Sequence, residues 1–563
     1  MDLSIHYKST IVTIQCIHVY ALIKLFYLLS GNGGSTLTSV QFLADKYGSK
    51  LYDMRILLLH AGGQSQRMPS ASVLGKIFSP IPKGETCMYQ MLDIKLAMYM
   101  PLIPLMGPGI FVACADDFLV YDLGSSCENI SFGENGFTAL AHPSSVSVGT
   151  GHGVYVLEDS EAVNPKVPIQ VHNCLQVLQK PSETVMYEKG AVLDGKNFEF
   201  PPGINIQDKF AYTDSSFFFA HDVTKKFLDY LQKSEPVTCE IDAYGDFLQA
   251  LGPNATSGYT KNMSNVSTVT ENLLKTRLAI FNCLRDTQLT LLLMNASKFV
   301  HIGTTKEYIQ HFCCDDEFKT EMGLGKDVFN LWDNKGLDHT GQGDNGCPVP
   351  SKKSRLSDTS LGCVMHSILP ASSYVSQTSV VEYCHFKVPI TIGQNCILSN
   401  CEYRLDSNLV NPVESLDIPS NIFLHTIPIL YQGQTKYVTV YFDIKDNLKK
   451  AASENQITTL PFLGKTLGDY TKTCGLRIEK ITPNLDDKGV KANLWFSRLF
   501  PLVESMSESL DLAVQTIMAV KKDDAKSVSL ASRDLMSMPD ILRSKDLDTM
   551  LTKRNKLFTK IKK

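Results

Sequence analysis

The sequence is 563 residues long and holds 15 cysteines, yet it has no CxxC pair and no His/Cys cluster at zinc-ligand spacing. An odd, scattered set of thiols in a chain this large reads as reduced cysteine, not as a disulfide framework. Positive charge is not in excess either: 54 Lys and Arg stand against 58 Asp and Glu, a net charge of −4, which disfavours nucleic acid as a partner. Charged residues make up only 20% and hydrophobic ones 44%, which excludes a disordered chain. No convincing small-residue cleavage site precedes Gly31, so sequons such as Asn254-Ala255-Thr256 carry little meaning. The one long apolar stretch, Ile11 to Leu29, is interrupted by Gln15, His18 and Lys24 and is close to the minimum of about 20 residues for a membrane helix. It reads as a buried or disordered leader, with no stable membrane association expected.

What is present has a recognisable rhythm. The glycine-rich element Gly31 to Thr36 precedes a helix predicted over Leu37 to Tyr47. Arg55 to His60 is a short apolar run that stops at Ala61-Gly62-Gly63, as a buried parallel strand does before a turn. Met88, Met91, Leu92, Leu96 and Tyr99 share a helical face, and Gly109 to Ala115 forms a second apolar run ending at Asp116-Asp117. Strand, glycine loop, helix, strand and acid predict a doubly wound, Rossmann-like α/β domain. Further on, 333–358 is rich in Gly, Asp, Asn, Lys and Pro and reads as a linker. Beyond it, Ser379 to Tyr383 and Ile390 to Leu398 are short strands with turns about six residues apart, the spacing of a parallel β-helix. Met506, Leu510, Val514 and Ile517 predict an amphipathic helix, and Lys553 to Lys563 a solvated tail. The expected order is a leader at 1–30, an α/β domain at 31–332, the linker, a β-helix-like domain at 359–450 and a mixed or helical α+β extension at 451–563.

Chemistry concentrates in His60-Ala61-Gly62-Gly63-Gln64-Ser65-Gln66-Arg67, followed by Leu74-Gly75-Lys76. Glycines at a strand's end let backbone N–H groups approach phosphate oxygens. Arg67 and Lys76 add fixed positive charge, one as a fork and one as a point. Gly33, Gly34, Ser35, Gly62, Gly63 and Ser65 are the candidate nucleotide-binding positions, and Arg67, Lys76 and Lys180 the candidate catalytic ones. Asp116 ends a strand where a carboxylate can hold Mg²⁺ against triphosphate oxygens; an Asx-turn or helix cap is the alternative for the same pair of acids. Lys180-Pro181 follows an apolar stretch and could set an ammonium over a sugar phosphate. His142-Pro143 and Gly149 to Gly153 form another small-residue loop, which alone shows only backbone permissiveness.

At these residues the chain resembles the vertebrate fucose-1-phosphate guanylyltransferases over roughly residues 31–563. The match is carried by GNGGSTL from Gly31, GGQSQRMPSASVLGKIF from Gly62, YQMLDIKLAMY from Tyr89, CADD from Cys114, FTALAHPSSVSVGTGHGV from Phe137, CEIDAYGDFLQALGP from Cys239 and SKFVHIGTTKEY from Ser297. The resemblance implies a sugar-nucleotide pyrophosphorylase (nucleotidyltransferase) domain followed by a β-helical domain. It implies GTP and L-fucose 1-phosphate as substrates, Mg²⁺ as cofactor and a cytoplasmic fucose salvage setting; association into a homo-oligomer stays open. By likeness to the broader pyrophosphorylase signature, Gly62, Gly63, Arg67 and Lys76 embrace the nucleotide phosphates, Asp116 binds metal, and Lys180 contacts the sugar phosphate, with Gln179 in place of the usual Glu. Asp214 or Asp242 is expected to assist the metal, because His301 stands where many relatives have an aspartate, and imidazole suits a hard cation poorly. No glycine–serine loop of the sugar-kinase type is found, so a fused kinase is not expected. The family's opening strand is not recognisable in the leader. A sheet without it would fit the alternative of a non-catalytic scaffold or regulator.

Overall fold

A computed structural model describes residues 10–14, 17–21, 31–124, 130–196, 198–200, 206, 208–263, 266, 269–333, 361–405, 413–452, 454–482, 492–524 and 527–563. The chain is a mixed α/β protein made of two compact units. The first comprises Met1–Gly63 and Leu92–His301, and the second Gln64–Met91 and Ile302–Lys563. All but the first residue of the expected linker lies outside the described residues.

The first unit is built on a ten-stranded sheet. Its order is Thr10–Ile14, Ile17–Ala21, Arg55–Leu59, Gly109–Ala113, Lys209–Ala220, Phe137–Ser145, Leu289–Met294, Ile169–Gln179 and Gly153–Leu157, with Leu193–Asp194 paired to Lys209–Ala220. Ile17–Ala21 runs parallel to Arg55–Leu59, with His18 opposite Ile56. Arg55–Leu59 runs parallel to Gly109–Ala113. The expectation of a missing first strand is thereby corrected: part of the apolar leader supplies a strand beside Arg55–Leu59, and its sequence concealed this because the run is broken by polar residues. Lys209–Ala220 is antiparallel to both of its neighbours, so the sheet is mixed and not purely parallel.

Arg55–Leu59 and Gly109–Ala113 read as continuous apolar runs because both sheet faces are covered; every residue of the pair except Arg55 is buried. Ile56, Leu58, Ile110, Val112, Phe217 and Phe219 face one core. The helix Gly31–Tyr47 brings Leu37, Val40 and Leu43 to that core at helical spacing. This helix begins six residues earlier than its apolar pattern predicts, at the glycines themselves.

The second unit contains three parallel ladders. In the first, Asp327–Val328, Cys363–Met365, Val380–Glu382, Ile397–Ser399 and Ile422–Tyr431 stack in order. The second stacks Leu331–Asp333, Ile368–Pro370, His385–Phe386 and Glu402–Tyr403, and the third Tyr374–Val375, Ile390–Ile392 and Leu416–Ile418. Cys363 pairs with Val380 and Val380 with Ile397, a repeat of 17 residues. His366, Tyr383 and Asn400 recur at the same step, each in the left-handed region with φ of 56°, 52° and 54°. The same corner of three successive steps therefore turns through a left-handed non-glycine position.

Antiparallel strands Gln434–Asp443, Phe500–Val503 and Leu535–Met536 extend the first ladder. The helix Met506–Lys522 buries Leu510, Ala513, Val514 and Ile517, as its spacing predicts. The lysine-rich end is not a solvated tail. It belongs to the helix Leu547–Lys562, which buries Met550, Arg554, Leu557 and Ile561 at intervals of three and four. The high lysine content masked this stripe.

Candidate functional site

In the first unit the strand ends place several polar residues together. His60 continues the ladder, its N–H donating to the Ala113 carbonyl at 2.9 Å. Burial holds its imidazole neutral, lowering the pKa to about 4. The Thr36 hydroxyl donates to the Asn32 carbonyl and lies 3.1 Å from His60 Nε2, so the imidazole donates that bond. The next residues, Gly62 and Gly63, are exposed. Gly62 has φ of +108°, which favours glycine, and a Cβ at Gly63 would meet nothing within 4 Å. The space on the Cβ side of Gly63 is clear.

Asp116 and Asp117 part company. Asp117 is buried and paired with Lys95 Nζ at 2.7 Å. Lys95 also reaches the Tyr99 hydroxyl at 3.4 Å, and that hydroxyl lies 3.0 Å from Ser216 Oγ. Burial raises the Asp117 pKa, and the Lys95 ammonium opposes it. Asp116 keeps a carboxylate that is 23% exposed, with His301 Nε2 at 3.6 Å. The His301 ring meets the His152 ring edge-on at 5.8 Å. The His152 carbonyl in turn accepts the Lys180 N–H at 2.9 Å, with Lys180 at φ of +48°.

Beside Lys180 lies Asp214, which accepts the Gly153 N–H at 2.9 Å. Its carboxyl is pushed up to about 7, by burial first and by the Asp242 carboxylate as well, while the Gly153 bond and the Lys180 ammonium pull it down. Gln179 Oε1 and the Tyr155 hydroxyl are buried without a hydrogen-bond partner among the described residues. A Cβ at Gly153 would sit 2.2 Å from Asp214 Oδ2 and 3.0 Å from Gln179 Oε1, so only glycine fits there. The loop flagged in sequence as merely permissive thus carries two contributors, His152 and Gly153. His142 plays a different part: it is fully buried, bridges Ser297 Oγ and Ser215 Oγ at 2.7 and 2.6 Å, and is kept neutral by burial with a pKa of about 3.

Gly31 and Gly33, at the start of the Gly31–Tyr47 helix, lie close against Ile241. The Gly33 N–H is taken by the Ile241 carbonyl at 2.8 Å, and a Cβ on Gly33 would lie 2.7 Å from Ile241 Cγ2. Asn32 Oδ1 accepts the Ala243 N–H at 2.7 Å. Gly34 is buried, and the Ser35 carbonyl accepts the Ser39 hydroxyl at 2.8 Å. Asp242 uses Oδ1 on the Tyr244 N–H at 3.1 Å, as a helix cap does.

Ser65, Arg67 and Lys76 belong to the second unit. Ser65 has φ of +51°, and its carbonyl accepts the Met68 N–H at 2.8 Å. The Arg67 side chain is exposed, and its carbonyl accepts the Thr305 N–H at 2.9 Å. Lys76 is buried and opens the short turn Lys76–Phe78 after Gly75, which has φ of +102°. Met68, Ala71, Val73 and Ile77 are buried around it, so the segment is folded and not an open loop.

Mg²⁺ demands oxygen ligands but commonly takes only one or two from protein, the rest coming from water and substrate phosphates. Among the described residues no group of three or more His, Cys, Asp and Glu could hold a metal ion. The partly exposed carboxylate of Asp116 fits such a sparse site. Asp242, with one oxygen already committed to a backbone N–H, fits it less well. The Lys95–Asp117 pair and His152 escaped sequence reasoning. Only the two adjacent acids at the strand's end hinted that one needed a buried partner.

A family model described as the fucose pyrophosphorylase domain matches residues 48–505. The chain belongs to this family. It is 37% identical over 543 residues to a fucose-1-phosphate guanylyltransferase of Mus musculus, covering 94% of this chain and 85% of the mouse protein. The Homo sapiens protein of the same name is 38% identical over 540 residues, covering 94% of this chain and 83% of its own length. A bifunctional fucokinase/GDP-fucose pyrophosphorylase of Arabidopsis thaliana is 25% identical over 194 residues, which are 30% of this chain and 18% of that protein.

Proposed function

We propose that this chain joins GTP and β-L-fucose 1-phosphate into GDP-L-fucose and releases pyrophosphate. The observation that carries the reading is its likeness to two fucose-1-phosphate guanylyltransferases across 94% of its length. The open Gly62–Gly63 backbone and the cluster of Asp116, His301, His152, Lys180 and Asp214 support it. A phosphate oxygen of the sugar phosphate attacks the α-phosphorus of GTP. The bond from that phosphorus to the bridging oxygen breaks, and pyrophosphate leaves with the electron pair. The nucleophile is already an anion, so no general base is needed; positioning and charge neutralisation carry the rate.

In this reading, within the first unit, the Gly62 and Gly63 backbone approaches the phosphates and Lys180 orients the attacking phosphate; the role toward the departing pyrophosphate that the family resemblance gives Arg67 and Lys76 is carried over from sequence alone. Asp116 would hold Mg²⁺, with Asp242 as a weaker second candidate. Bound there, the ion supplies charge neutralisation to the triphosphate. The left-handed backbone at Lys180 and its bond to the His152 carbonyl fix where that side chain starts.

The same reading takes the first unit as a doubly wound, Rossmann-like nucleotidyltransferase domain and the 17-residue ladders as a parallel β-helix. The parallel set Ile17–Ala21, Arg55–Leu59 and Gly109–Ala113 supports the former. Among the described residues no helix is long and apolar enough to cross a membrane, and the proposed setting is cytoplasmic. The test is a product assay of purified protein with GTP and UTP against fucose, mannose and N-acetylglucosamine 1-phosphates, with and without Mg²⁺. GDP-fucose and pyrophosphate in the presence of Mg²⁺ are expected. Absence of pyrophosphate release with every pair overturns the reading.

A further inference from the structure

The segment Gln64–Met91 is folded as part of the second unit, and the bonds that seat it come from widely separated stretches of that unit. The Gly325 N–H donates to the Pro82 carbonyl at 2.7 Å, and Lys83 Nζ donates to the Met322 carbonyl at 2.6 Å. One further bond, and one residue that borders the segment, come from beyond 505, where the family model's match ends. Lys545, at the junction of the helices Met538–Ser544 and Leu547–Lys562, donates from Nζ to the Val73 carbonyl at 2.6 Å. The Arg554 guanidinium lies 3.8 Å from the centroid of the Tyr383 ring. With Glu382, Ser70, Ala71, Gly75 and Ser79, Arg554 lines a cavity of about 10 Å³, room for roughly one water. Glu382 is itself fixed, accepting from the Tyr308 and Ser399 hydroxyls at 2.6 Å each.

Between these supports runs the turn that carries Lys76. Its regular structure is two three-residue 3₁₀ turns, Pro69–Ala71 and Lys76–Phe78. Pieces this short have little stability of their own, and their geometry is set by what they pack on. We propose that the C-terminal helix pair braces the phosphate segment, with Lys545 and Arg554 as positioning residues that hold the Ser70–Ser79 turn and so fix where Lys76 stands. The proposal rests on the reading of Lys76 as a contact to GTP phosphates. A displacement of about 1 Å in such a contact can cost on the order of a hundredfold in rate, so support remote from the substrate matters.

The test compares the full-length wild type with Lys545→Met, Lys545→Gln, Lys545→Arg and Arg554→Gln. Steady-state kinetics with GTP and fucose 1-phosphate are measured alongside amide hydrogen exchange of the substrate-free protein. Losing the Val73 bond is expected to lower kcat/KM for GTP roughly tenfold, leave the fucose 1-phosphate KM unchanged and speed exchange within residues 70–79 alone. Lys545→Arg, which can still donate to that carbonyl, is expected to restore both readouts. A wild-type kcat/KM for GTP with unchanged exchange over 70–79 overturns the brace. So does a lower kcat with both KM values intact and exchange raised throughout, which marks mere loss of folded protein. If the wild type turns over no GTP, the proposed activity fails, while the exchange data still decide whether Lys545 and Arg554 hold the turn.

Discussion

Replacing Asp214 with Asn should stabilise the protein, and increasingly so as pH rises. Asp214 is only 6% exposed, and burial together with Asp242 lifts its pKa from 3.8 to about 7. The folded chain therefore keeps a proton here that the unfolded chain has already lost, and stability falls as pH climbs from about 4 to about 7. Each tenfold change in proton affinity is worth about 1.4 kcal/mol. The cost of the carboxylate is then roughly 1.5 kcal/mol at pH 5 and about 4 kcal/mol at pH 8. An asparagine has nothing to ionise, and its oxygen can still accept the Gly153 N–H. Its amide can turn to Gln179 Oε1, which has no partner among the described residues and lies near the same point. At about 2 °C per kcal/mol for a unit of this size, melting curves should show a gain near 3 °C at pH 5 and near 8 °C at pH 8. An equal gain at both pH values, or a loss at pH 8, would refute the claim that the buried carboxylate is the source of the cost.

Three further outcomes are expected. Lys76→Ala should lower kcat for GDP-fucose formation about a hundredfold with an unchanged circular dichroism spectrum; a wild-type rate removes the lysine from the mechanism. Lys95→Met should strand the Asp117 charge in the core and cost about 3 to 5 kcal/mol, seen as a fall in Tm that Asp117→Asn largely reverses; a neutral Lys95→Met shows that the pair is not needed. Gly33→Ala and Gly63→Ala should separate packing from binding. The first meets Ile241 and lowers Tm, whereas the second meets nothing in the protein and should spare Tm while weakening GTP binding in calorimetry; the reverse pattern contradicts both assignments.

The elements most legible in the sequence were those whose pattern has one cause. Arg55–Leu59 and Gly109–Ala113 are apolar throughout because they are covered on both sides, and Met506–Lys522 has a single buried stripe. Where two causes overlap, the pattern is ambiguous. Gly33 and Gly34 read as nucleotide-binding positions, and close approach to Ile241 is a second cause for a glycine at 33. The lysines after 553 hid Leu557 and Ile561, because long cationic side chains flank a narrow apolar stripe. The adjacency of Asp116 to His301 and of Lys180 to Asp214 was beyond any local pattern, since sheet register alone brings residues that far apart in sequence together. Likewise, nothing along the chain tells that 64–91 folds with what comes after 301.

That last arrangement bears on biosynthesis. Val73 leaves the ribosome 472 residues ahead of the lysine that will hold its carbonyl. At about 5 to 20 residues per second, the stretch carrying Arg67 and Lys76 waits roughly 25 to 95 seconds for that anchor. For that time the Val73 carbonyl lacks this partner. A nascent chain stalled short of its last helices would offer this stretch to chaperones and proteases, and a late truncation would be felt near the beginning of the protein.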